Sequence, residues 1–473
     1  MADKVFSVTD FKEGLDVRKT PLTGPGGSLR ILENAVLNQG GEIEKRLAFV
    51  KMTTISPTAF LWVQGHRDSL HAFQVSPSAA SAPGGSLPVP IVVHTLQAAP
   101  EQIVRILDAE PYGEYFYVCG QGASGQTYCW YADVLVHEVD SSISHGTYAR
   151  TWKSKMYRCD GGYLRFSGVN NPAQNDPSST TEPGAGFINV TLNDPDVEPL
   201  VGMEVYYNNM ATQARLQTQI WSLDPDPDKD NLTQLLRIGT VAAHSVVQFG
   251  TGDVLFLSDS GVRSLKALYI NLAASVSDVG SSIDPLLTPV IRTKPTAAQY
   301  ARSVVQPIQG RYWLAIDTTI YVLSYFVAGS ITAWSTFDPG FSVANFAVVG
   351  NRVYAYDSTG AIYLYGGLGG NDYDNCLVTV RTPHMTASEP TMNKRIKSMD
   401  VMCEGAWSIS IGMLASNTDQ FEPIANVQDN TFDLQSIPFA GYGTHFAVHL
   451  ENQAPGPALL AALHFNIQEA AVK

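Results

Sequence analysis

The sequence predicts a mainly β protein in which a β-propeller is combined with a β-sandwich-like platform. Charged residues make up only 16% of the 473-residue chain, whereas Gly (39), Pro (27), Tyr (21) and Phe (19) are abundant. This composition favours many short strands over long amphipathic helices. Short alternating apolar segments recur between turns in the middle of the chain, and both ends differ from the middle in their pattern.

These differences divide the chain into three predicted segments. Residues 1–52 form an N-terminal platform segment that is more charged than the rest, with a Gly/Pro loop at residues 23–28. Residues 53–370 form the β-propeller, and residues 371–473 form a C-terminal β-sandwich platform segment. In the last segment, residues 396–401, 407–411 and 445–450 alternate apolar and polar side chains, as half-buried strands do.

Recurrent hairpins predict the propeller. Residues 254–265 and 353–365 each read as a strand, an Asp-containing turn that ends in Gly, and a second strand. Asp bonds the turn backbone and Gly supplies a positive φ, so the hairpin closes tightly. Three further hairpins are predicted at residues 312–323, 115–131 and 156–166. At about 40–50 residues per blade, five to seven blades fit this segment. The alternative is a large irregular sandwich.

Helix is scarce, and two long loops interrupt the strands. One short helix is predicted at residues 296–303, because Pro295 stands where helices often begin. Residues 76–90 are rich in Ser, Ala, Gly and Pro and predict a surface loop, and residues 171–185 predict a second one.

The charge and the cysteines limit the function classes. A net charge of −14 and a pI of about 5.1 provide no basic surface for tight nucleic-acid binding. The acidity by itself is explained by solubility. The alternative, a conduit that DNA passes without sticking, depends on a family resemblance carried by residues 11–52, 163–172 and 252–265. Five cysteines without a C-x-x-C spacing indicate neither a disulfide framework nor a zinc site, and we expect buried free thiols. Neither a signal peptide nor an 18-residue apolar run is visible, which predicts synthesis in the cytoplasm without membrane insertion.

The search for chemistry predicts no catalytic, cofactor-binding or metal-binding residue. Residues 224–231 alternate Asp and Pro, but Lys229 and Leu235 occupy the positions where a calcium loop needs Gly and Glu. His445 and His449 would lie about 13 Å apart on a strand, too far to share one metal ion. Residues 258–261 are similar to the hairpin turn of sialidase-type propellers, which is a folding device. The seven tryptophans are expected to pack in the core. We therefore predict that the protein is not an enzyme.

Three segments carry a resemblance to structural proteins of bacteriophage tails. Residues 11–52 (FKEGLDVRKTPLTGPGGSLRILENAVLNQGGEIEKRLAFVKM) resemble the N-terminal segment of such proteins. Residues 163–172 (YLRFSGVNNP) and 252–265 (GDVLFLSDSGVRSL) are similar to blade motifs of phage propeller proteins. The resemblance is weak after residue 371, and it includes no catalytic motif.

The family is that of tail nozzle or hub proteins of short-tailed phages. The resemblance implies a virion protein that assembles in the host cytoplasm as a six-copy ring below the portal and adaptor. The ring would continue the DNA ejection channel and contact tail fibre, needle or tip proteins, with residues 76–90 or 171–185 as candidate gates. It also implies that residues 1–52 and 371–473 share one platform. The alternative function is a receptor- or glycan-binding propeller at the tail tip.

Overall fold

The computed structural model describes residues 3–55, 62–74, 88–97, 99, 101–132, 137–138, 145–179, 184–193, 198–267, 274–387, 389–428 and 436–470. In these residues the chain is mainly β, as predicted. The first six strands are β1 (Asp3–Val8), β2 (Gly14–Leu15), β3 (Ser28–Leu29), β4 (Ile31–Glu33), β5 (Ala35–Leu37) and β6 (Ile43–Lys45).

The strands of the first half of the propeller follow. They are β7 (Phe49–Thr54), β8 (Trp62–His66), β9 (Ser69–Gln74), β10 (Ile91–Thr95), β11 (Ile103–Tyr112), β12 (Tyr115–Gly122), β13 (Thr127–Ala132), β14 (His137–Glu138), β15 (Tyr148–Trp152), β16 (Lys155–Asp160), β17 (Tyr163–Phe166), β18 (Gly186–Asn189), β19 (Gly202–Tyr206), β20 (Asn209–Gln213), β21 (Thr218–Ser222) and β22 (Asn231–Leu236).

The second half of the propeller contains the two α-helices of the described residues. Its elements are β23 (Val247–Phe249), β24 (Asp253–Ser258), β25 (Gly261–Ala267), β26 (Ala274–Ser277), α1 (Asp284–Thr293), α2 (Pro295–Gln299), β27 (Arg302–Gln306), β28 (Arg311–Ile316), β29 (Thr319–Phe326), β30 (Ile331–Phe337), β31 (Val343–Val349), β32 (Arg352–Asp357) and β33 (Ala361–Tyr365). Short 3₁₀ helices span Val190–Asn193, Pro227–Lys229 and Ala243–Ser245.

The last strands are β34 (Val378–Arg381), β35 (Asn393–Glu404), β36 (Trp407–Gly412), β37 (Glu422–Val427), β38 (Ile437–Gly443), β39 (Ala447–Asn452) and β40 (Leu459–Ala470).

The described strands form a propeller of seven blades. Blade 1 is β8–β10, and blades 2 to 6 are the consecutive four-stranded groups β11–β14, β15–β18, β19–β22, β23–β26 and β27–β30. Blade 7 combines β31–β33 with β7, which comes from the opposite end of the propeller segment and pairs with β33. The first strands of neighbouring blades contact each other around the ring, which closes between β31 and β8. Ring closure protects the inner edges of the blades.

The structure confirms all five predicted hairpins. The pairs are β24–β25, β32–β33, β28–β29, β12–β13 and β16–β17. At the first two turns Gly261 and Gly360 have φ values of +127° and +83°, which only glycine adopts readily.

The helix prediction is partly wrong. α2 begins at Pro295 as expected but ends at Gln299, because Arg302 and Ser303 already belong to β27. The longer helix α1 was not predicted, since Pro289 in its interior argues against a helix. Leu287 and Ile291 lie four residues apart on α1 and are both buried.

Strands from the two ends of the chain share two platform sheets. In the first sheet the order is β38-β35-β40-β6-β5, and β1 also pairs with β40, from Asp3 opposite Gln468 to Val8 opposite Leu463. In the second, β4 joins β34-β39-β36-β37 to β30 of blade 6. The boundary that we placed between residues 52 and 53 falls inside β7.

One hydrophobic core joins the two platform sheets to blades 5 and 6. Its buried members include Phe465 of β40, Ile409 of β36, Leu257 of β24 and Trp334 of β30. The tryptophans at positions 62, 130, 221, 313, 334 and 407 are buried, as the sequence predicted. Four of the five free cysteines are buried too.

Candidate functional sites

Charged side chains from the first strands of several blades meet inside the propeller. β11 contributes Asp108 and Glu110, β15 contributes Arg150, β19 contributes Glu204 and β27 contributes Arg302. The first strand of each blade lies nearest the axis, so charged residues within these strands are brought inward. We define these five residues as the axial network.

Arg150 holds the axial network together. Its Nη1 donates to Glu110 over 3.1 Å and its Nε donates to Glu204 over 3.3 Å. Asp108 lies beside this pair and accepts hydrogen bonds from the amides of Ala149 (2.9 Å) and Ala109 (3.0 Å). Arg150, Glu110 and Glu204 are therefore paired with one another inside the propeller, and backbone amides satisfy Asp108.

Burial changes the acidity of the network. The pKa of Glu110 is raised to about 7, because burial and the neighbouring charges of Asp108 and Glu204 outweigh the opposing effects of Arg150 and the Thr151 amide. Burial also raises the pKa of Asp108, although Arg150 and the two amide hydrogen bonds oppose this shift. Both carboxyl groups thus bind protons more readily in the folded protein than in the unfolded chain.

This shift predicts a pH dependence of stability that Glu110 controls. A carboxyl group whose pKa is raised on folding stabilises the native state fully below its unfolded pKa, and this contribution is lost as the pH rises through the folded pKa. Between pH 4.5 and 8, we expect the free energy of unfolding of wild type to fall by on the order of 2 kcal/mol relative to that of Glu110→Gln. This free energy is smaller than the full pKa shift would give, because 16% of the Glu110 side chain is exposed and solvent screens its charge. Urea unfolding of both proteins across this pH range measures the difference. If the free energy of unfolding changed with pH in the same way for both proteins, Glu110 would not be the group that controls the pH dependence.

A cavity of about 630 Å³ lies on the propeller axis beside the network. All seven blades, or the segments that lead into them, contribute to its wall, which places it at the centre of the ring. The lining side chains are Trp62, Val104, Arg105, Ile106, Leu107, Gln121, Thr147, Pro199, Leu200, Val201, Ala243, His244, Gln299, Tyr300, Arg302, Ala344 and Tyr356. Among them Arg105 and Arg302 are the charged residues, and Asp and Glu are absent from this described wall.

The two arginines of the cavity are held by aromatic rings and backbone oxygens. The Arg302 guanidinium lies 5.3 Å from the Trp62 ring, and its Nε donates to Ala344 O over 3.1 Å. The Arg105 guanidinium lies 4.9 Å from the Tyr300 ring. In the described part of the chain, neither arginine has a carboxylate within ion-pair distance. His244 lies against Trp62, with 4.9 Å between ring centroids.

The second candidate site is formed by the edges of the first platform sheet. Residues 394–399 of β35 pair with β38 on one side and with residues 465–469 of β40 on the other. Residues 463–468 of β40 in turn pair with β1. The order across the sheet at this level is therefore β38-β35-β40-β1. Among the described strands, β38 and β1 each have one neighbour, so each presents an open edge.

A groove of about 700 Å³ runs beside β1. The consecutive residues Phe6, Ser7 and Val8 all line it. Side chains alternate between the faces of a strand, so a run of consecutive lining residues identifies the edge of β1 and not one of its faces. Gly24 and His384 also line the groove, and the His384 side chain is buried with Nε2 lacking a hydrogen-bond partner in the described structure.

The acidic segment of the sequence analysis forms a turn. The Asp226 side chain caps the 3₁₀ helix that begins at Pro227, and Asp230 accepts a 2.7 Å hydrogen bond from the Asp224 amide. These carboxylates satisfy backbone donors. Within the residues that the structure describes, no group of three metal-ligating side chains occurs.

The two histidines at the C-terminal end are separate. His449 lies in β39 and contacts Glu451 over 3.0 Å, whereas His445 precedes the strand and contacts Thr444 over 2.9 Å. Of the candidate gates, residues 76–87 and 180–183 lie outside the described residues. Across the described part, no helix has the length and apolarity needed to cross a membrane.

The sequence analysis missed both sites. The axial network left one signal, a charged residue between two apolar neighbours in a strand, as in Leu107-Asp108-Ala109 and Met203-Glu204-Val205. Several blades repeat this signal, but it can be recognised only once the blades are aligned. The sheet edges left no sequence signal, because their neighbours come from distant parts of the chain.

Comparisons with known proteins give distant structural similarity. The chain matches no family model and no curated protein sequence. It is similar to BamB from Moraxella catarrhalis at 10% identity and a TM-score of 0.38, over 68% of this chain and 97% of that one. It is similar to PorZ, a surface component of the type-IX secretion system of Porphyromonas gingivalis, at 11% identity and a TM-score of 0.35, over 84% of this chain and 53% of PorZ. The designed protein Ika8 gives 11% identity and a TM-score of 0.34, over 68% and 99%.

Proposed function

We propose that the protein is a non-enzymatic virion protein, a tail nozzle or hub subunit that forms a six-copy ring. The observation that carries the ring is the platform sheet with open edges at β1 and β38. An open edge presents unpaired backbone donors and acceptors, which another strand can satisfy. Because the two edges differ, one copy's β1 would meet the next copy's β38. This is a heterologous contact, which forms a ring when the rotation between copies closes.

Strand direction supports this contact. The strands β38, β35, β40 and β1 alternate in direction, because each pairs antiparallel with its neighbour. With four strands at this level, β1 runs opposite to β38. A rotation about an axis parallel to the strands keeps these directions, so β1 would pair antiparallel with β38 of the next copy. The groove beside β1 is where that strand would lie.

The inside of the propeller supports a DNA path through the centre of the six-copy ring. The axial network takes up part of the propeller axis and the cavity beside it measures only about 630 Å³, so a duplex would pass through the centre of the six-copy ring and not through a propeller. A net charge of −14 per chain would repel the phosphate backbone, so that DNA slides without being retained. The portal, adaptor and tail-tip proteins are the partners that such a ring would contact.

Cryo-electron microscopy of virions that contain the protein tests the proposal. A six-fold ring on the tail axis, with the platform sheets in contact, is the expected result. In solution the ring would have a mass of about 307 kDa, six times the 51.2 kDa of the chain. Peripheral copies away from the axis would overturn the proposal and favour the receptor-binding alternative.

A variant with both open edges charged should fail to form the ring. Val5 of β1 and Tyr442 of β38 are 66% and 63% exposed, so glutamate at both positions leaves the subunit intact. Like charges on paired strands weaken each contact by up to about 1 kcal/mol, and six contacts in a ring compound the loss. Light scattering should show that this variant consists of separate subunits at concentrations at which wild type forms the ring. Leu192→Glu, at an exposed propeller position, is the control that keeps the ring. An undiminished ring in the edge variant would refute this interface.

A further inference from the structure

We propose that the axial cavity binds a small acidic saccharide, with Arg105 and Arg302 receiving its carboxylate. Assembly of the ring does not require this site, so the inference stands apart from the proposed function. It rests on three properties of the cavity, which are unpaired positive charge, a suitable size, and a wall that combines aromatic, amide and hydroxyl groups.

The charge is the first property. Arg302 is only 9% exposed, and the described structure gives its guanidinium two backbone acceptors, Ala344 O at 3.1 Å and Ala301 O at 3.5 Å. Its Nη2 donates no hydrogen bond within the described residues. A buried guanidinium without a carboxylate partner is costly, and a bound anion would remove that cost.

The two arginines also repel each other. Burial lowers the pKa of Arg302, and the positive charge of Arg105 lowers it further, while Asp108 opposes the shift from beyond ion-pair distance. A carboxylate between the guanidinium groups would offset this repulsion. Arginine is suited to the task, because its planar fork binds both oxygens of one carboxylate.

The size and the polar lining identify the body of the ligand. A volume of about 630 Å³ is in the range of small-molecule sites and is large enough for a disaccharide. Gln121, Thr147 and Gln299 supply hydrogen-bonding groups for sugar hydroxyls, and Tyr300 and Tyr356 supply ring surface. His244 is neutral, since burial holds its pKa well below the usual range, and its Nε2 faces Leu107 O at 2.8 Å. Its Nδ1 is then an acceptor.

Calorimetry on the full chain with three probes tests the proposal. Digalacturonate should bind, and lactose, a neutral disaccharide, should bind at least about tenfold more weakly, because it offers no charge-assisted hydrogen bond. Inorganic phosphate separates a bare anion site from a saccharide site. Tight binding of phosphate without binding of digalacturonate would overturn the saccharide assignment.

Variants assign the binding to the cavity. Arg105→Gln should weaken digalacturonate binding about tenfold and leave the melting temperature unchanged, because Arg105 is partly exposed. Arg302→Lys retains the charge and should also weaken binding, because lysine lacks the fork. Arg215→Gln removes an exposed arginine paired with Asp259 and is the matched control. The proposal is wrong if wild type binds no probe at about 10 mM, which is about tenfold above the upper end of ordinary KM values. It is also wrong if Arg105→Gln binds digalacturonate as tightly as wild type does.

Discussion

Arg150→Met should destabilise the protein by about 3–5 kcal/mol, the cost of removing one partner from a buried ion pair. Glu110 and Glu204 both rely on the Arg150 guanidinium, and their side chains are only 16% and 11% exposed. Methionine fills part of the space but leaves two buried carboxylates beside Asp108 without a counter-charge. Urea unfolding at pH 8, where all three groups would be charged in water, measures the loss.

The pH dependence of this loss separates charge from packing. The pKa of Glu110 is already raised to about 7, so Glu110 should take up a proton in the variant as the pH falls. The destabilisation should therefore shrink towards pH 5. Arg215→Met is the control, since its pair with Asp259 is exposed and contributes under about 1 kcal/mol. A loss that is equal at pH 8 and pH 5 would show that Arg150 acts by packing alone, and a loss equal to the control would show that the buried pairs contribute no more than an exposed one.

The propeller could be predicted because its hairpins are local. Strand, Asp-containing turn, glycine and returning strand stand within about a dozen residues, as at Gly261 and Gly360, and the positive φ at these glycines is a property of the turn itself. Blade number could not be predicted, because divergent blades hide the repeat. The outer strand of blade 7 is β7, which is some 300 residues away in sequence from β33.

The sites could not be predicted because they depend on contacts between distant residues. The axial network joins Glu110, Arg150 and Glu204 from three blades, and each residue alone is an ordinary charged side chain in a strand. The open edges of β1 and β38 exist only because β40 and β35 lie between them. Periodicity along the chain carries information about which face of a strand is buried, but not about which strand lies at a sheet edge.

Gly65→Ala should open the seam where the propeller ring closes, at a cost of about 3 kcal/mol. Gly65 lies in β8 of blade 1, where a Cβ atom would overlap the carbonyl oxygen of Val348 in β31 of blade 7. The obstacle is main chain and cannot turn aside as a flexible side chain would. The two strands must separate, which also loosens the packing of Val63 and Leu70 against Val349.

Separation at the seam should be visible locally as well as globally. Amide hydrogen exchange should accelerate in β8 and β31 and stay unchanged in β20, on the far side of the ring, while the melting temperature falls. Gly26→Ala is the matched control, because a Cβ at Gly26 meets open space and should leave both measurements unchanged. Uniform acceleration in every blade would mean that the ring unfolds as one unit. An unchanged melting temperature would mean that β8 and β31 tolerate separation, and that β7 in blade 7 suffices to hold the ring closed.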